Sequence, residues 1–303
     1  MQSIEACDAG SRNPPRVDVG GSRGGRPEGR DGREAVGRAR PGEVVVGHPP
    51  GGYPPLLVIV VPAFNEAATI ATVVGRLRAV CPAVLLIVVD DGSTDGTAAR
   101  AAAAGADWVI QARRRSGKGA ALRAGFAAAL RCGADVVATL DGDGQHDPAE
   151  LPRLLAAARE SPGALVVGDR IAAGGDPIPG LRLGAIRVAD RVLRWLTRAP
   201  LRDTQCGFRL YPAALLRTLS LREGGFVLET EALVGAARLG HPLVSVPVRS
   251  IYPPGRASRF RALGDGARIG WYLARTALRE LPGRLAADLP RRRVRRATVE
   301  LRG

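Results

Sequence analysis

Asp135-Val136-Val137-Ala138-Thr139-Leu140-Asp141-Gly142-Asp143-Gly144-Gln145-His146-Asp147-Pro148 joins three signals in one short stretch. Asp135–Leu140 reads as a strand running into Asp141, apolar from Val136 on apart from Thr139, the mark of a strand covered on both faces. The run ends abruptly in alternating Asp and Gly, which is turn chemistry. A helix signal follows over residues 147–160. Asp147 can cap, Pro148 suits the first turn, and Glu150 lies three residues after Asp147, as in a capping box. Buried strand, acidic turn, helix: this is one unit of a parallel α/β sheet.

The same unit recurs on both sides. Leu56–Ala63 and Val84–Val89 read as buried strands, and Trp108–Gln111 and Leu165–Val167 as shorter ones. Between them, Ala67–Val80 sets Ile70, Val73, Val74 and Leu77 on one side at helical spacing. Asp95–Ala104 and Lys118–Arg131 are alanine-rich helices. Beyond residue 170 the rhythm loosens. Leu181–Thr197 reads as an amphipathic helix, Gly207–Tyr211 and Leu243–Val248 as strands, and Glu229–Leu239 as a helix between them. Ala262–Leu281 is a helix with Trp271, Tyr272, Leu273 and Leu278 among arginines, the pattern of an interfacial helix or of a surface helix docked on its own domain. The alternation specifies an α/β fold, a mostly parallel, Rossmann-like sheet flanked by helices. Ligands of such sheets bind at the carboxyl ends of the strands.

The chain has 303 residues, 46% of them apolar and only 4% aromatic, so Ala, Val and Leu must fill its core. Its net charge is +15, and one of its 44 basic residues, Lys118, is lysine; the rest are arginine. Residues 1–52 are rich in Gly, Arg and Pro without apolar periodicity and read as a disordered tail. Residues 53–281 form the folded domain. Residues 282–303 carry seven arginines against Asp288 and Glu300 and read as a basic tail, able to bind nucleic acid or the anionic face of a membrane, or to stand solvated with no partner. Cys7, Cys81, Cys132 and Cys206 lack metal or redox spacing and read as reduced thiols of a cytoplasmic protein. The apolar runs are strand-sized, too short to span a bilayer, so any membrane contact is expected to be peripheral, on the cytoplasmic face.

Acids gather at three strand ends: Pro62-Ala63-Phe64-Asn65-Glu66, Asp90-Asp91-Gly92-Ser93-Thr94-Asp95-Gly96, and the Asp141–Asp147 turn. Any one of these could be a helix cap. Three on one sheet edge form a negative pocket, which is costly unless a cation joins it. A hard divalent ion such as Mg2+ takes one or two carboxylates plus substrate phosphates. Asp141 and Asp143 are two apart, so an extended chain would turn both to one side, with Gln145 continuing the series. Lys118, at a helix start in Gly117-Lys118-Gly119, suits an anion. Arg170, Arg209, Arg256 and Arg259 are further phosphate partners by residue type.

These phrases occur in the order seen in family 2 glycosyltransferases, and the chain resembles that family over roughly residues 56–275. Asp203-Thr204-Gln205-Cys206-Gly207-Phe208-Arg209-Leu210 is similar to the polyprenyl- and dolichyl-phosphate glucosyl- or mannosyltransferases. The resemblance implies a GT-A fold and inverting displacement at an anomeric carbon. It implies that Pro62, Asn65, Glu66, Asp91 and Asp95 line the nucleotide pocket. It assigns Asp141 and Asp143 to Mg2+ or Mn2+ and the diphosphate, with Gln145 supporting. Arg209 and the loop of Arg256 and Arg259 would hold phosphate. The donor would be UDP-glucose or GDP-mannose.

The first expected acceptor is polyprenyl phosphate, which needs no base. The second is a sugar or lipid hydroxyl, which does; Glu229 and Glu231 are the candidates, Glu231 preferred. A sugar nucleotidyltransferase would open with a Gly-rich, Arg-bearing loop after the first strand, where Pro62–Glu66 stands. A nucleic-acid-binding role fits poorly, because the acidic edge would repel phosphates.

Overall fold

The computed structural model describes residues 56–173, 180–251 and 264–288. The whole expected N-terminal tail, residues 53–55 after it, and the C-terminal tail beyond Asp288 therefore lie outside the described residues, as do Arg256 and Arg259. The first half of the chain alternates strands and helices: β1 (Leu57–Ala63), α1 (Ile70–Val80), β2 (Leu85–Asp90), α2 (Thr97–Ala103), β3 (Trp108–Gln111), α3 (Lys118–Arg131) and β4 (Val136–Thr139). A 3-10 turn at Pro148–Glu150 leads into α4 (Leu151–Glu160), then β5 (Leu165–Asp169) and α5 (Arg170–Ala173). The second half holds α6 (Gly180–Thr197), β6 (Arg209–Pro212), α7 (Ala213–Thr218), α8 (Val227–Arg238), β7 (Leu243–Pro247) and α9 (Gly264–Asp288). The last helix runs on to Asp288, so the expected boundary at residue 281 falls inside it. Asp147 does cap its turn, accepting from Ala149 N at 3.0 Å.

The strands form one seven-stranded sheet in the order β3-β2-β1-β4-β6-β5-β7. All neighbours are parallel except β6, which runs antiparallel between β4 and β5. Val58–Val61, Leu86–Val89 and Val137–Ala138 are buried along the central strands. Their burial on both faces explains why the sequence runs are continuous rather than alternating. Alanines fill the space where aromatics are scarce: Ala121, Ala128 and Ala129 of α3 are all buried. Gly125 brings that helix onto the sheet; a Cβ there would stand 2.3 Å from Val60 Cγ1.

This order places the carboxyl ends of β2, β1 and β4 side by side. The three acidic strand ends of the sequence therefore converge at one edge.

Candidate active site

A cavity of about 1120 Å3 opens at this edge. Pro62, Phe64 and Glu66 reach it from the end of β1, Asp91 from β2, and Asp141, Asp143 and Gln145 from beyond β4. Ser116, Gly117 and Lys118 enter from the start of α3, the Glu223–Val227 loop from α8, and Arg268, Trp271 and Arg275 from α9.

The Asp141-Gly142-Asp143 segment is a turn and not a strand. β4 ends at Thr139, and Gly144 has φ 75, which favours glycine. The expectation that strand alternation turns both carboxylates to one side is thus corrected. Both line the cavity because the turn bends there. Gly142 N donates to Pro62 O at 3.2 Å, and Thr69 Oγ1 donates to Gly142 O at 2.8 Å, pinning the turn to the end of β1. Asp143 Oδ1 accepts from Gln145 N at 3.0 Å. Gly207 lies directly behind: a Cβ there would meet Asp141 Oδ2 at 2.5 Å.

Asp91 holds the opposite wall. Its two oxygens accept from Ser116 N and Gly117 N, each at 2.7 Å, which fixes the loop that starts α3. Lys118 follows, and its Nζ lies 2.7 Å from Asp141 Oδ1 and 3.0 Å from Glu229 Oε2. Burial disfavours the ammonium, but Asp141 and Glu229 outweigh it and raise the Lys118 pKa. Burial likewise disfavours the Asp141 carboxylate, yet Lys118 and His146 hold its pKa below the ordinary value. His146 stands 3.9 Å from Asp141, and burial pushes its imidazole down to about 4, so it is neutral near pH 7.

The arrangement is a cleft with hard oxygen donors on one wall, an ammonium at its floor and arginines at its mouth. The family model for glycosyl transferase family 2 matches residues 58–223 of this chain, and those residues contain the whole acidic edge. The chain belongs to that family. Polyprenol monophosphomannose synthase of Mycolicibacterium smegmatis is 35% identical over 201 residues, covering 63% of this chain and 76% of that protein. Undecaprenyl-phosphate mannosyltransferase of Micrococcus luteus is 34% identical over 201 residues, covering 63% and 82%. Among solved structures, glucosyl-3-phosphoglycerate synthase from Mycobacterium tuberculosis, in complex with Mn2+, UDP and phosphoglyceric acid, superposes with a TM-score of 0.59 at 26% identity, over 77% of this chain and 84% of that one. The expected GT-A fold is the fold of these neighbours.

Several residues expected at the family 2 site stand elsewhere. Arg209 is fully buried, and its Nε, Nη1 and Nη2 donate to the carbonyls of Cys206, Glu229 and Thr204, each at 2.7 Å. Its guanidinium serves the backbone, which corrects its reading as a phosphate ligand. Arg170 is also buried, bonded through Nε and Nη2 to Asp203 at 2.6 and 2.9 Å. Glu231 Oε2 accepts from Arg222 N and Glu223 N at 2.9 Å, so this preferred base instead holds the loop before α8. Asp95 is exposed and accepts from Ala67 N and Thr97 N, each at 3.1 Å, a capping role outside the cavity. Asn65, at φ 50, joins the same turn through Ser93 and Thr94.

Sequence reading missed the α9 side of the cavity and the pairing of Arg115 over Phe64, 4.4 Å from the ring centroid. The spacing of Arg268, Trp271 and Arg275 on one helix face carried the first signal; the second has none in sequence.

Asp190 gives the family 2 domain a pH-sensitive joint. It fastens α6 to the Asp203–Phe208 segment, accepting from Thr204 N at 2.9 Å and Thr204 Oγ1 at 2.6 Å. Burial lifts its pKa from 3.8 to about 7, with the Thr204 bonds and Arg194 opposing and Asp203 adding. The folded value lies above the unfolded one. Its stabilising contribution is therefore full below pH 3.8 and is lost as pH rises through about 7. Asp190→Asn removes this dependence. The Tm of the variant relative to wild type should rise between pH 5 and pH 8 in scanning calorimetry; a constant difference contradicts the assignment.

Proposed function

We propose that the protein transfers a hexose from UDP-glucose or GDP-mannose to a polyprenyl phosphate, with inversion and with Mg2+ or Mn2+ as cofactor. The observation that carries the reading is the joining of Asp141, Asp143 and Lys118 in one cavity whose other rim is the arginine- and tryptophan-bearing face of α9. The named activities of the relatives support the polyprenyl-phosphate acceptor. The Mn2+ and UDP of the structural neighbour support the donor side.

The residues fit a divalent ion. Asp141 and Asp143 offer carboxylates and Gln145 an amide oxygen, the hard donors that Mg2+ and Mn2+ take. Among the described residues no group of three or more acidic, His or Cys side chains forms a self-sufficient metal cage. That matches an ion completed by substrate phosphates. When bound, the ion would neutralise charge on the departing diphosphate. The chain's own groups do the rest. Asp91 holds the Ser116–Gly117 backbone in place, Phe64 and Arg115 offer a flat cationic surface to the nucleotide, and Lys118 faces the diphosphate. An acceptor phosphate oxygen then attacks the anomeric carbon, the bond to the nucleoside diphosphate breaks, and no proton needs removal.

The fate of the two glutamates favours this base-free route. Glu229 is tied to Lys118, and Glu231 to two backbone N–H groups. Transfer should therefore be found with polyprenyl phosphate and be absent with the corresponding polyprenol. Glu231→Gln should retain turnover within about tenfold. Transfer to the alcohol, lost in that variant, contradicts the proposal.

No helix among the described residues is long and apolar enough to cross a membrane; the surface of α9 is suited to meet a lipid acceptor. On α9 the exposed Ala267, Trp271, Ala274, Leu278 and Leu281 recur at i, i+4, i+7, i+11 and i+14, one apolar stripe. Trp271 and Leu278 are 71% and 70% exposed. Arg268, Arg275 and Arg279 run along one flank, as on a helix lying in an anionic interface. α6 packs beside it and exposes Val188 and Trp195. Trp271→Ser combined with Leu278→Ser should weaken co-sedimentation with phosphatidylglycerol vesicles by about tenfold. Unchanged binding contradicts this docking face.

A further inference from the structure

Lys118 is the single lysine of a chain that uses arginine at every other basic position. It is also the cation that the fold buries among carboxylates at the floor of the cavity. Its side chain is 14% exposed, and its Nζ lies 2.7 Å from Asp141 Oδ1 and 3.0 Å from Glu229 Oε2. The two partners differ in kind. Asp141 lines the cavity and is 24% exposed; Glu229 is 2% exposed and does not line it. The Phe226 ring lies 5.1 Å away and closes a further side. Space is short: a Cβ on neighbouring Gly119 would stand 2.9 Å from Gly225 N. A compact ammonium with three donors serves two carboxylates from one point there, whereas a guanidinium is bulkier and spreads its donors over a rigid planar fork.

We propose that Lys118, anchored by Glu229, is a resident counter-ion for Asp141 that makes binding of the divalent metal conditional on the nucleotide diphosphate. This rests on the metal-dependent transferase reading above. Without substrate, the ammonium already satisfies Asp141, and a metal ion approaching that carboxylate meets a like charge held within hydrogen-bond distance of it. Of the three carboxylates Asp141, Asp143 and Glu229, only Asp141 and Asp143 line the cavity, and against the Lys118 ammonium these two leave a single net negative charge facing a metal ion, too little to hold a divalent ion firmly. A diphosphate changes the balance. It gives the ammonium a second anion and completes the shell of the ion. Glu229, turned away from the cavity, keeps Lys118 in place while Asp141 exchanges partners. Metal and nucleotide then bind synergistically, and by linkage each tightens the other equally. Lys118 acts here as a positioning residue.

The test is Mn2+ binding by the full-length protein, followed by the electron paramagnetic resonance of free Mn2+. It is run with no nucleotide, with UDP and with GDP, on wild type, Lys118→Met and Glu229→Gln. Wild type should bind Mn2+ weakly alone and at least about tenfold tighter with one of the diphosphates. Lys118→Met should bind Mn2+ alone about tenfold tighter than wild type, while its diphosphate affinity without metal falls and the synergy shrinks. Glu229→Gln should move the metal affinity the opposite way, because the ammonium is then left to Asp141. It also keeps the test open if Lys118→Met does not fold. A Lys118 that merely packs the site would lower Mn2+ and diphosphate affinity together in Lys118→Met. That result, or equal Mn2+ affinity with and without nucleotide in wild type, overturns the proposal. Wild type that binds neither Mn2+ nor either diphosphate overturns the transferase reading itself.

Discussion

Asp143→Ala is expected to lower kcat/KM for sugar transfer about a thousandfold while the protein melts at nearly the wild-type temperature. The size follows from its place. Asp143 lines the cavity at the tip of the turn beyond β4, and it is one of only two carboxylates that the turn offers to a metal–diphosphate pair. Loss of charge stabilisation that acts as the leaving group departs is a cost in turnover, not in folding. The Asp143 Oδ1 bond to Gln145 N that is lost lies at the wall of the cavity and not in the core, so its removal costs the fold little. Steady-state kinetics with a melting curve on the same sample checks both halves. A variant with more than a tenth of wild-type turnover would remove this turn from the chemistry.

Arg209→Ala is the second large effect, and it falls on stability. The guanidinium spans three carbonyls, of Cys206, Glu229 and Thr204, with no solvent access. It therefore ties the segment behind the Asp141 turn to the start of α8, which carries Glu229. Removing it leaves buried acceptors without donors and a cavity the size of the side chain, at a cost of about 3–5 kcal/mol. Chemical denaturation should show that loss, and any surviving native protein should bind nucleotide nearly normally. A stable Arg209→Ala protein with a raised KM for donor or acceptor would restore Arg209 as a phosphate ligand.

The contrast between these two residues shows where sequence is informative. The Asp141–Asp147 phrase was legible because a strand end in a parallel sheet points to the ligand edge whatever follows it. Arg209 carries the right charge, but its sequence says nothing of direction. β6, on which it lies, enters the sheet antiparallel between β4 and β5, a placement fixed by distant pairing and not by local pattern. The two glutamates of α8 teach the same point. Two residues apart on a helix, they face about 200° apart, so only one can point toward Lys118. Periodicity shows that they diverge, and only the packed helix shows that Glu229 turns inward. The central strands and α3 matched their expected spans closely because continuous apolar runs leave little choice. α5 and α7, with four and six residues, are too short to leave a periodic signal.

The most direct measurement is transfer of radiolabel from UDP-glucose or GDP-mannose into the organic phase with short-chain polyprenyl phosphate, purified protein and Mg2+ or Mn2+. The expected result is label in the lipid with one of the two donors, abolished by EDTA, restored by adding metal back, and absent with Asp143→Ala. Label that enters the lipid undiminished under EDTA, or no transfer from either donor by a protein that binds both the donor and the vesicle surface, would contradict a metal-dependent polyprenyl-phosphate hexosyltransferase.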